Sequence, residues 1–168
     1  TIPSKITITA LQRVLQNLLN EQISIRDLPT ILEAAAESSR VSQNITTITE
    51  HVRARLARQI SHNNASHDGI ITMVSMSPVW EQLFTENLIG QGEDKQLAIP
   101  PSKLHEFIAK VKEVYDTLAA KGELPVLLTS PSIRPYVRAV IERFRPAIVV
   151  MSQNEVHAKA KIRNLGQV

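Results

Sequence analysis

Three short apolar runs constrain this chain more than any other feature: GIITMVSM (residues 69–76), PVLLTS (125–130) and AIVVMS (147–152). Each is too short for a buried helix, and apolar residues stand at both odd and even positions. A strand reads that way when both of its faces are covered, which is the situation of a mostly parallel sheet under helices. The segments between the runs carry helical spacing instead. SPVWEQLFTENL offers Ser77 as a cap and Pro78 at the first helical position, where no amide hydrogen is needed. Residues 102–120 place Leu104, Phe107, Ile108, Val111, Tyr115 and Leu118 on one side, and Gly122 ends the run. A weaker alternating run, KAKIRNL, predicts a further strand. The loop at residues 90–101, IGQGEDKQLAIPP in context, has two glycines and two prolines and is expected to be mobile.

The chain before Gly69 follows another grammar. Leu11, Val14, Leu15, Leu18 and Leu19 keep the spacing of a helical stripe, with Thr7 or Thr9 as cap. SIRDLPTILEAAAESS predicts a second helix with Pro29 in its first turn and Ile31, Leu32, Ala35 and Ala36 inward. Ile48, Val52, Leu56 and Ile60 predict a third over residues 46–61, with Arg53, Arg55 and Arg58 spread over its remaining surface. The polar stretch SHNNASHDG then separates two domains. The expected fold is α + α/β: a small all-helical subdomain at 1–66, then an α/β subdomain at 67–168 with a mostly parallel or mixed sheet covered by helices.

Composition narrows the function. Among 168 residues there is no cysteine, so disulfides and thiolate metal sites are excluded. No apolar run approaches the ~20 residues that span a bilayer. The chain begins with Thr1 and carries no signal-peptide pattern, so it is expected to be a fragment or processed piece, and any membrane portion of a parent would lie outside it. The net charge of +3 is a small excess, and aromatics make up only 4%, leaving few stacking platforms for bases. No nucleic-acid partner is expected.

The best candidate for chemistry is Ser130, in LTSPS at the end of a predicted strand. A nucleophile elbow needs glycines around its serine, and this turn has none. Ser130 reads first as a helix cap, with Pro131 opening the helix. The alternative is an anion site for a phosphorylated small molecule, with Ser130 at the helix N-terminus and Arg134 one turn in. His62, His67 and Asp68 lie in a polar turn at spacing unsuited to zinc, and Glu33 with Glu37 read as water-facing. No cofactor, metal or catalytic residue is expected. Two charged groups remain open: the arginines of the third helix suit a solvated face, a protein interface or phosphates, and Arg26–Asp27 suit a local cap and pair or an intermolecular contact.

LQRVLQNLLNEQISIRDLPTILEAAAE followed by EHVRARLARQI, with PVLLTSPSIRPYVRAVIERFRPAIVVMSQNEV later, resembles the flagella/hypersensitive response/invasion export pore family. These are the large export-gate proteins of bacterial type III secretion, and LTSPSIRPYVR is most similar to the flagellar branch. The resemblance spans nearly the whole chain and keeps the order of the motifs. It implies a soluble, non-enzymatic part of a membrane protein, at the cytoplasmic face of the bacterial inner membrane. The helical and α/β segments would be the third and fourth cytoplasmic subdomains. It further implies self-association into a ring, and docking of export substrates, their chaperones and other export-apparatus proteins. Ring contacts in the family involve the helical subdomain, which makes Arg26, Asp27, Arg53 and Arg55 the candidate interface residues.

Overall fold

The computed structural model describes residues 6–168. They form two compact units.

Four helices build the first unit: α1 (Ile8–Asn20), α2 (Leu28–Ser39), α3 (Ile45–Arg55) and α4 (Ala57–Asn63). Side-chain oxygens of Thr7, Asp27 and Asn44 accept from the amides of Ala10, Thr30 and Thr47 and so start α1, α2 and α3. Val14 and Leu18 of α1, Ile31, Ala34 and Ala35 of α2, and Ile48 and Val52 of α3 are fully buried. The two alanines let α2 approach α3 closely. The expected single helix over residues 46–61 is two helices, broken at Leu56. Four-residue spacing explains the break. A straight helix advances its i, i+4 series by about 40° per step, so Ile60 would drift off the face that Ile48 occupies. The irregular residue Leu56 (φ −94°, ψ 16°) resets the face, and Leu56 and Ile60 both stay buried.

Asn154–His157, from the far end of the chain, also belongs to this unit. No local pattern in the sequence foretells that excursion.

In the second unit, β1 (Ile70–Ser75), β4 (Val126–Thr129), β5 (Val150–Ser152) and β6 (Lys161–Gln167) form one sheet in the order β5-β4-β1-β6. Every pairing is parallel. The continuous apolar runs supply β1, β4 and β5, whereas β6 is an edge strand with one half-buried residue, matching its charged, alternating sequence. Helices α5 (Pro78–Glu86), α6 (Pro101–Ala119) and α7 (Arg134–Ile141) join the strands. Phe107 anchors the aromatic part of the core, with T-shaped contacts to Phe84 at 5.0 Å and Trp80 at 5.4 Å. Tyr115 is fully buried and its hydroxyl donates to the Pro125 carbonyl at 3.0 Å. The segment expected as a loop contains a hairpin, β2 (Leu88–Ile89) against β3 (Gln96–Leu97). Gly90 makes its turn possible: its φ is +126°, and a Cβ there would meet the Asp94 carbonyl oxygen at 2.1 Å.

Candidate functional site

Arg53 was expected on a surface and is buried, with 1% of its area exposed. Its guanidinium grips the Glu155 carboxylate by two bonds, Nε to Oε2 at 2.7 Å and Nη2 to Oε1 at 2.9 Å. Glu21 stands 3.5 Å from Nη1. Ser61 completes the arrangement by donating to the Glu155 carbonyl and accepting from the His157 amide, both at 2.8 Å. A buried guanidinium requires a bidentate partner and further acceptors, and this excursion of the chain supplies them. Arg53 is therefore an internal clasp of the helical unit rather than a group on its surface.

Arg55 lies two residues beyond Arg53 on α3 and so points to another side of the helix. Its Nη1 donates to Glu37 at 2.6 Å, and Glu33 lies 3.6 Å from Nη2. The two carboxylates read as water-facing thus also form an α2–α3 pair with a half-exposed arginine. Arg26 and Asp27 are both exposed. Asp27 is the cap of α2, accepting from the Thr30 amide at 3.3 Å. Beside them, Leu28 and Leu32 sit one turn apart on α2 and are both exposed, as are Ile8 and Leu19 of α1 and Val41, which is 87% exposed.

Ser130 does not cap a helix. The N-cap of α7 is Ile133, and Pro135 rather than Pro131 occupies the first turn. The Ser130 hydroxyl donates to Glu81 Oε2 at 2.7 Å, and its amide donates to Glu81 Oε1 at 3.0 Å. An acidic side chain in the first turn of α5 therefore takes the two donors that an incoming anion would need. Arg134 is turned away and buried, donating to the Val150 carbonyl at 3.0 Å. The expected alternative anion site at Ser130 and Arg134 is not formed, because both groups are used within the unit. Among the described residues, no cluster of three or more His, Asp or Glu could hold a metal ion. No helix among them is long and apolar enough to cross a membrane.

Glu155, Ser61 and Glu81 carry these arrangements and went unnoticed in the sequence. Arg53 and Glu155 are 102 positions apart, so spacing gave no signal.

The described residues form a four-helix unit followed by a parallel α/β unit, with Arg53 and Ser130 bound to Glu155 and Glu81 and with Leu28 and Leu32 exposed on α2. The chain belongs to the FHIPEP family, whose model matches residues 1–161. It is 53% identical over 99% of its length to the flagellar biosynthesis protein FlhA of Caulobacter vibrioides, and spans 24% of that protein. Among solved structures it is similar to the nonameric EscV cytosolic domain from the type III secretion system, with a TM-score of 0.76 and 29% identity, covering 93% of this chain and 46% of that one. It is also similar to a chain of the Chlamydia pneumoniae CdsV and CdsO protein complex, with a TM-score of 0.80 and 28% identity, covering 96% of this chain and 48% of that one.

Proposed function

We propose that this chain is a non-enzymatic assembly and docking part of a flagellar export gate, at the cytoplasmic face of the inner membrane. Its helical unit joins neighbouring copies into a ring, and its α/β unit receives export substrates, their chaperones and other export-apparatus proteins. The observation that carries the reading is the exposed apolar surface of the helical unit. Leu28 and Leu32 stand next to Arg26 and Asp27, outside the core that α1, α2 and α3 share. Contiguous exposed apolar groups beside charges mark contact surfaces. The nonameric assembly of the EscV relative supports the ring. The CdsV–CdsO complex supports docking of a partner protein. Arg26 and Asp27 remain interface candidates, and Arg55 contributes through its pairing with Glu33 and Glu37.

The test is photo-crosslinking in flagellated cells, with a photoreactive residue at position 32 of the full-length protein. Adducts between two copies of the protein are expected. Absence of self-adducts at position 32, in cells that still export flagellin, would refute the helical unit's part in the ring.

A further inference from the structure

Between β3, the start of α6 and the outer side of α7, the second unit holds an open groove of about 310 Å³. Its floor is apolar, formed by Leu97, Leu104 and Val140, and two cations, Lys95 and Arg143, line it without any carboxylate. Lys95 donates to the Gly90 carbonyl at 2.9 Å, which leaves two of its three N–H groups for other acceptors. Arg143 is exposed, and its side chain has no hydrogen bond or ion pair among the described residues. The neighbouring acid Glu142 is directed to Arg138, 3.8 Å away. The hairpin that brings Lys95 and Leu97 to the groove depends on Gly90, where any other residue would strike the Asp94 carbonyl.

Small-molecule sites are enclosed and have buried, convergent polar groups. Here none of the lining side chains is both polar and buried. An apolar trough beside uncompensated positive charge instead suits an amphipathic protein segment. We propose that this groove docks a short segment of a partner protein, with apolar side chains in the trough and Asp or Glu side chains against Lys95 and Arg143. The proposal rests on the docking role of the α/β unit and assigns that role a site and a partner chemistry.

Fluorescence anisotropy on the purified chain tests it with synthetic peptides of about twelve residues, leucine at every third or fourth position. The remaining positions are glutamate in one peptide, glutamine in a second and lysine in a third. The glutamate peptide is expected to bind at least about fivefold more tightly than the glutamine peptide, with the advantage reduced by added salt. Arg143→Glu should remove the preference, and Ala139→Trp should block both peptides. Both residues are exposed, so the variants are expected to keep the wild-type circular dichroism spectrum. Three results overturn the proposal: no binding of the glutamate peptide, equal binding of the two, or binding that survives both substitutions. Replacement of the peptide by anionic phosphatidylglycerol vesicles overturns it as well. Self-crosslinking through position 32 is independent of every one of these outcomes, so failure of the groove and failure of ring assembly are told apart.

Discussion

Arg53 and Glu155 show what a buried charge requires. Both are almost wholly out of solvent and are joined by two short bonds. Removing one partner leaves the other charge buried and unpaired, which costs about 3–5 kcal/mol. Urea denaturation of Arg53→Ala is therefore expected to show a loss of that size, while Arg53→Met combined with Glu155→Leu recovers most of it. A second buried group sets the alkaline limit. Burial pushes the Tyr115 phenol well above its ordinary value of 10.0. The folded state thus keeps a proton that the unfolded chain releases near pH 10. The Tyr115 contribution is complete below that pH and falls as pH rises further. Tyr115→Phe is expected to flatten this alkaline decline and to lose about 1 kcal/mol at neutral pH, since the Pro125 carbonyl loses its donor. Denaturation curves across the alkaline range check both parts. Helical spacing placed Tyr115 inward, though not its bond to Pro125, whereas Arg53 gave no local sign of a partner 102 positions along the chain.

Among elements, those the sequence disclosed are the ones whose pattern is set by a single neighbour. The runs IITMVS, VLLT and VMS became strands buried at both odd and even positions, and Thr7 and Ser77 became caps because a hydroxyl finds an amide three residues on. Elements that depend on distant contacts were misread. The cap expected at Ser130 gave way to Glu81, which lies 49 positions away in α5, and the helix began later. The hairpin β2–β3 was hidden in a glycine-containing loop because two-residue strands carry no period. It yields a sharp expectation. Gly90→Ala places a side chain on the Asp94 carbonyl at positive φ, so the hairpin should open. Hydrogen exchange should then show lost protection at the Ala98 amide, which bonds the Asn87 carbonyl. The β1 amides should stay protected. An unchanged Ala98 amide would show that the turn tolerates a side chain.

For the molecule as a whole, family membership was legible because long motifs keep their order along the chain. The resemblance to the family marked four interface candidates, and the structure buries one of them, Arg53. Of the candidates, Arg26, Asp27 and Arg55 remain exposed, as do the neighbouring Leu28 and Leu32. The most direct measurement is mass photometry of the full-length protein in lipid nanodiscs, comparing wild type with the double variant Arg26→Glu, Leu32→Glu and with Leu124→Glu, an exposed position in the other unit. The account predicts ring-sized particles for wild type and Leu124→Glu, and single copies for the double variant. Rings that persist undiminished in the double variant would contradict it.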